Sequence, residues 1–251
     1  MKTVVILQPQ FFPWRGVFEQ IRLCDEFMFL DDVQFQKGGF INRVQIKTAQ
    51  GPFWLTVPVL RSGSLPPIRE VPIDYRSAWR EKHLKTLRAS YARAPFVEPM
   101  CAIVADVYAE KPATIAEVAI AGTRRCAEYL GLHPEVTFSS WTPVAAMRSE
   151  RLVELLAPRT TTYVTGRGAL DYLDEPLLAR AGIDVRVMAY RRTAYPQLHG
   201  PFDPHVSILD TIANLGPSAA AHLDSPAIAW REAVARRTAG FTEDEPAAPG
   251  S

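Results

Sequence analysis

Two adjacent carboxylates, Asp31 and Asp32, follow the apolar run Phe27–Leu30. Acids that leave a core strand together stand where a general base or a metal ligand is wanted. Burial raises a carboxyl pKa and a nearby cation lowers it, so such a site can tune them. Side chains alternate along a strand, so at most one of the two aims at a given pocket while the strand persists. The competing reading has one acid capping the next loop and leaves the other in water. Magnesium asks for only one or two carboxylates plus water, but nothing else in the chain fixes a metal. His83 shares a helical stripe with Trp79 and Leu87. It is either a core histidine or a proton carrier that assists the acids. Lys82 beside it is a solvated cation or an anion ligand. Asn42–Arg43 precede a strand. A guanidinium fork suits a substrate carboxylate or phosphate, and equally an ion pair with Asp31, Asp32 or Glu70.

Aromatic and polar loops complete the candidates. Gln8 and Gln10 flank Pro9 after the first apolar run, followed by Phe11, Phe12, Pro13 and Trp14. Aromatics at the mouth of an α/β site supply an apolar floor and stacking for a sugar or base, or else they are core. Gln34 follows the twin acids. Tyr195, Gln197, His199 and Asp203 fall in one proline-rich loop, either a recognition loop or an ordinary surface loop. Gly166-Arg167-Gly168 after a strand resembles a phosphate-cradling turn, or an ordinary tight turn. Ser139-Ser140 read as a helix cap rather than a nucleophile, since no GxSxG elbow surrounds them.

These residues need elements to hold them. Val4–Leu7, then Arg15–Cys24, then Phe27–Leu30 read as strand, helix, strand, the unit that builds a parallel sheet. In open α/β sheets ligands sit beyond the carboxyl ends of the strands, where Gln8–Phe12 and Asp31–Gln34 would both lie. Gly38-Gly39 marks a turn. Strands are expected at 43–47 and 53–59 around the turn 49–52, and at 68–73, with a loop at 61–67. Helices are expected at 77–92, 100–109 and 114–130, the last ending at Gly131. Further on come strands at 136–139, 161–165 and 183–188. Helices follow at 149–156 with Ser149 as N-cap, at 170–181 restarted by Pro176, at 206–215 and at 228–237. The pattern predicts a single α/β domain over 1–241, its mostly parallel sheet flanked by helices with a helical insert near 77–130. The polar, proline-rich stretch 242–251 reads as a disordered tail.

The totals narrow the class. The chain has 251 residues, 47% apolar and 22% charged, an ordinary globular composition with enough apolar surface for a core. A net charge of +1 gives no case for a nucleic-acid partner. Three cysteines without CxxC spacing fit a reducing cytosol better than a disulfide framework. No apolar run approaches a membrane span, so no membrane partner is expected and the location is read as cytoplasmic. Oligomeric state is left open, and no motif identifies a cofactor.

Several segments resemble the WbqC-like family. They are QPQFFPWRGVF, FLDDVQFQKGGFINR and FWLTVPV, then the W-x-x-K-H-L segment at Trp79–Leu84 and Tyr91 with Ala94-Pro95-Phe96. Ser139-Ser140, Tyr163 with Gly166 and Gly168, Tyr195-Pro196-Gln197, and Phe202 leading to Val206–Asp210 complete the likeness. It runs to about Gly216. The resemblance implies the company of surface-polysaccharide and specialised-metabolite biosynthesis rather than one reaction. Members often carry Asn where this chain has Val44, and Trp where it has Phe40. The opening order of elements is also similar to pantothenate synthetases and other nucleotidyltransferase-like enzymes. Their H-x-G-H signature would fall on Trp14-Arg15-Gly16-Val17, where the glycine is present and both histidines are absent. Adenylate chemistry of that kind is therefore not expected.

Together these features point to a biosynthetic transferase that forms an amide. It would move an acyl or aminoacyl group from a small-molecule thioester or carrier-bound donor onto an amine. Asp31 or Asp32, helped by His83, would take the proton, and Arg43 would anchor an anionic group. A non-catalytic sugar-nucleotide or glycan-intermediate binding protein is the alternative, and an ATP-dependent ligase a third.

Overall fold

The computed structural model describes residues 2–36, 38–60 and 66–240. The expected tail at 242–251 and most of the expected loop at 61–67 lie outside the described residues. The central sheet has six strands: β1 (Thr3–Leu7), β2 (Glu26–Phe29), β5 (Glu135–Phe138), β6 (Thr162–Thr165), β7 (Asp184–Met188) and β8 (Ala227–Ala229). Their spatial order is β5-β2-β1-β6-β7-β8, and all pairs are parallel except β7 with β8. From β1 the chain builds outward through β2 to β5, then returns to the other side of β1 for β6 and β7. The direction of winding thus reverses between β1 and β6, the topological switch point where such sheets open a crevice.

Strand alternation divides the core into two layers. Val5, Phe27, Phe29 and Val164 face one layer, while Val4, Ile6, Met28, Tyr163 and Val185 face the other. The first layer is covered by α1 (Arg15–Arg22), α2 (Trp79–Ser90), α3 (Val97–Ala109), α4 (Ile115–Tyr129), α7 (Ile208–Leu215) and a separate hairpin of β3 (Arg43–Thr48) and β4 (Gly51–Thr56). The second is covered by α5 (Arg148–Leu156), α6 (Glu175–Arg180) and α8 (Trp230–Thr238). Helices on both faces explain why Val4–Leu7 of β1 and Phe27–Phe29 of β2 are continuous apolar runs rather than alternating.

Several boundaries differ from the sequence expectation, each for a physical reason. The hairpin turn is tighter than four residues: Thr48 pairs with Gly51, leaving Ala49-Gln50 as a two-residue loop, and Gly51 takes φ +105°. Pro52 sits inside β4, where an outer strand tolerates a missing N–H. The expected strand at 68–73 is a 3₁₀ turn, Ile68–Glu70, followed by isolated bridges at Pro72 and Ile73. Prolines on both sides interrupt it, and its amides serve the loop after β2 instead: Ile68 donates to Val33 O and Arg69 to Asp31 O. Ser149 does not cap α5. Met147 stands at the N-cap, and the buried Ser149 Oγ accepts from the Asp174 amide 3.0 Å away. Gly166–Gly168 runs into a 3₁₀ helix, Arg167–Asp171, and α6 starts afresh at an Asp174 cap. The helix expected at 228–237 starts at Trp230, because Ala227–Ala229 pairs with β7 as a short antiparallel strand.

Candidate functional site

The carboxyl ends of β1 and β2 stand side by side. Leu7 pairs with Phe29, and the Leu30 amide donates to Leu7 O at 2.8 Å. The next residue, Asp31, turns its carboxylate towards the end of β5. There the chain tightens into a 3₁₀ helix, Ser139–Trp141, whose Ser140 amide points back at the acid. Asp31 Oδ1 accepts from Ser140 N at 3.1 Å and Ser139 Oγ at 3.2 Å, and Oδ2 accepts from Ser140 Oγ at 2.8 Å. Asp32 accepts from Ser139 Oγ at 2.5 Å and from Arg151 at 2.6 Å. Burial pushes the Asp32 carboxyl up, but the Ser139 hydroxyl and the Arg151 guanidinium outweigh it and hold the acid below its usual range. Two carboxylates, two hydroxyls and one guanidinium therefore meet at one edge of the sheet, with a residual charge of about −1. Asp31 is 6% exposed and Ser139 fully buried, whereas Ser140 is half-buried. Ser139-Ser140 do not cap a helix with their own oxygens. They are the partners of the twin acids.

The loop after β1 is held from behind. Phe11 N donates to Phe40 O at 3.1 Å, Ser207 Oγ to Phe12 O at 2.7 Å, and Ile208 N to Pro13 O at 2.9 Å. Phe11 and Phe12 are both fully buried; Phe12 takes φ +39° and its ring packs against Gly122 of α4. Trp14 is half-buried, packed edge-on to Tyr190 with ring centroids 4.8 Å apart, and its indole covers Gly16. The first turn of α1, which would cradle a phosphate in a nucleotide-binding unit, is thereby occupied. Arg15 donates inward to Arg191 O and Thr193 O, and its Nε lies 3.1 Å from Glu19. Gln8 and Gln10 remain half-buried along this loop, and Gln34 is exposed.

His83, Asn42 and Arg43 serve the β3–β4 hairpin. His83 is 7% exposed, with Nδ1 2.9 Å from Tyr108 Oη, and its ring also hydrogen-bonds the Thr56 backbone. Burial lowers its pKa to about 4, so the ring is neutral at physiological pH. It touches Phe11, Trp79 and Tyr108 rather than the twin acids. Lys82 is exposed on the outer face of α2. Asn42 is buried and donates to Val57 O at 2.9 Å, closing the hairpin. Arg43 lies 4.2 Å over the Trp54 ring and donates to Gly38 O; Phe40, 48% exposed, leans against the same indole.

Tyr195 and Gln197 belong to a buried network that reaches three elements. Asp210 of α7 accepts from Tyr195 Oη and Gln197 Nε2, both at 2.8 Å, and from Tyr91 Oη at 2.9 Å. Lys47 Nζ donates to Gln197 Oε1 at 2.8 Å and to the carbonyls of Gly200 and Pro201. Burial raises the Asp210 carboxyl against the pull of these donors. The arrangement clamps the loop after β7 onto β3, α2 and α7. Lys47, Tyr91 and Asp210 are not among the candidate site residues read from the sequence, although Tyr91 and Asp210 fall in segments that carry the family likeness. Asp210 had a legible signal, being a carboxylate directly after the apolar pair Ile208-Leu209 and shortly before Ile212. Among the described residues, no group of three or more His, Cys, Asp or Glu side chains is placed to hold a metal ion, and no helix is long and apolar enough to cross a membrane.

A family model described as "WbqC-like protein family" matches residues 8–222. The chain is also 35% identical over 229 residues to uncharacterized protein Rv1507c of Mycobacterium tuberculosis, covering 89% of this chain and 98% of that one. No solved structure matches. The matched span holds the twin acids, the two serines, Arg151 and the Asp210 network.

Proposed function

This chain belongs to the WbqC-like protein family, and on that premise we propose that it is a biosynthetic transferase that forms an amide. It moves an acyl or aminoacyl group from a thioester or carrier-bound donor onto the amine of a sugar or specialised-metabolite precursor. The observation that carries this reading is the Asp31–Ser140 pair at the carboxyl edge, with Oγ and Oδ2 2.8 Å apart. An amine reaches the site as an ammonium ion, and a cluster carrying about one negative charge attracts it. Asp31 takes the ammonium proton, Ser140 steers the freed amine, and Asp32 stays ionised against Arg151. The nitrogen then attacks the thioester carbonyl, a C–N bond forms as the C–S bond breaks, and the departing thiolate leaves as the thiol with the second amine proton. His83 is left out of this scheme because its ring packs among Phe11, Trp79 and Tyr108 and not against the twin acids.

The test is to incubate purified protein with a panel of acyl thioesters and amines and to read amide product by mass spectrometry. Asp31→Asn should lose at least a hundredfold in kcat, the scale of one general base, with a smaller change in KM. Wild-type turnover in both Asp31→Asn and Asp32→Asn would remove the mechanism.

A second reading, non-catalytic binding of a sugar nucleotide or glycan intermediate, has its own support. The stack of Arg43, Trp54 and the exposed Phe40 is an aromatic platform that needs no proton transfer. Binding of nucleotide sugars without turnover of any thioester favours it. An ATP-dependent ligase is the least supported, given the indole over the first turn of α1. The three free cysteines suit a reducing compartment, and we place the protein in the cytoplasm.

A further inference from the structure

The turn Gly166-Arg167-Gly168 has no part in the transferase scheme. It follows Thr165 at the carboxyl end of β6, on one side of the switch point where the winding reverses. There the chain enters the 3₁₀ helix Arg167–Asp171, and Arg237 in the last turn of α8 donates to Asp171. A cavity of about 370 Å³ opens at this junction, lined by Arg167, Gly168, Asp171 and Arg237. Its volume falls at the lower end of the range that small ligands fill.

The lining specifies the chemistry. Most small-molecule pockets are apolar, but every side chain on this wall is charged, which gives no floor to an acyl chain or an aromatic ring. Two guanidinium groups against one carboxylate leave the cavity cationic. Asp171 holds the Arg237 guanidinium in place, so less side-chain freedom is lost when an anion arrives. Guanidinium N–H groups match the oxygens of phosphates and carboxylates. One planar carboxylate, that of Asp171, already occupies Arg237. A ligand that reaches both arginines past it needs oxygens facing several directions and more than one negative charge, as a phosphate group has. Gly168 keeps the wall open, since a β-carbon there would meet no atom within 4 Å. We infer that this cavity is a binding site for the phosphate or diphosphate group of a small molecule. A phosphorylated thioester donor and a nucleotide sugar both present that group. The site stands without the transferase reading, because it needs no reaction at the twin acids.

The experiment is calorimetric titration of the full chain with inorganic pyrophosphate, coenzyme A, UDP-glucose and succinate. It compares wild type with Arg167→Gln, Arg237→Gln and Gly168→Glu. Pyrophosphate should bind wild type in preference to succinate, and more weakly as salt rises. Each variant should bind it about tenfold more weakly or worse, the scale of one hydrogen bond to a charged group. Gly168→Glu keeps both arginines, adds a carboxylate to the wall and has room for its β-carbon, so it decides the matter should an arginine variant fail to fold. Whichever of coenzyme A and UDP-glucose depends on the same two arginines names the source of the phosphate. No binding of pyrophosphate, succinate binding as tightly, or undiminished binding in the variants overturns the inference. Arginine-dependent pyrophosphate binding without amide-forming turnover keeps the site and removes the transferase. Turnover without pyrophosphate binding does the reverse.

Discussion

The indole of Trp14 lies across Gly16, so close that a β-carbon there would fall 2.4 Å from the ring. The glycine that nucleotide-binding folds use for phosphate approach is here used to seat an aromatic ring. Gly16→Ala should cost about 1–3 kcal/mol by overpacking. In a Trp14→Ala background the same change should become neutral or stabilising, because alanine favours the helix by about 1 kcal/mol over glycine. Denaturant unfolding of the four proteins measures this. Equal effects in both backgrounds would show that the ring does not set the requirement.

His83 is held neutral by burial, with a pKa of about 4. A histidine whose folded pKa is depressed contributes stability above its ordinary value of 6.5, and loses it as pH falls through the folded value. NMR titration should find this imidazole changing charge near 4. Any pH–rate profile should lack a break from His83 between 6 and 7. A ring titrating near 6.5 would restore it as a proton carrier.

Asp32 behaves in the opposite sense to a general base. Its folded pKa is lowered by Ser139 and Arg151 in spite of burial. Its contribution is present above the unfolded value of about 4 and is lost as pH falls through the folded value. Asp32→Asn should be less stable than wild type at pH 7, and the gap should close towards pH 2. Thermal melts across that range check it, and a constant gap would contradict the pairing.

Glu19 is buried beside Arg15, and burial lifts its carboxyl to about 7 despite the guanidinium, the Ser225 amide and Arg22, with Asp224 adding to the rise. The folded chain then holds an extra proton between the usual 4.5 and about 7, so stability falls as pH rises through that window. Glu19→Gln should gain on wild type over the same interval, by ~3 kcal/mol at most. A pH-independent difference between the two would refute the shift.

Tyr91 and Tyr195 both donate to Asp210 from opposite elements. Removing either hydroxyl should cost about 1–3 kcal/mol, the scale of a buried acceptor losing a donor. The two losses should be coupled by at least ~0.5 kcal/mol in a double-mutant cycle, since they share one carboxylate. Additivity would mean that the network acts as independent bonds.

Val4–Leu7 and Phe27–Leu30 were readable as parallel strands because both faces of each are covered, and continuous apolar runs follow from that. Residues 68–73 were misread because their pattern resembles a strand, while the prolines around them and the needs of the loop after β2 decide otherwise. Among the site residues, Asp31 and Asp32 were visible as acids leaving a core strand. Their partners were not, since Ser139 and Arg151 lie more than a hundred residues away.

By itself the sequence determined the family, the α/β class and the edge of the sheet at which polar groups gather, because periodicity and chain order are local properties. Only the tertiary structure decided which of those groups are engaged. It seated Trp14 on Gly16, tied His83 between Tyr108 and Thr56, and gave both acids to two serines and an arginine. Hydrogen-bond partners and desolvation depend on segments far apart in the chain, and no local pattern encodes them.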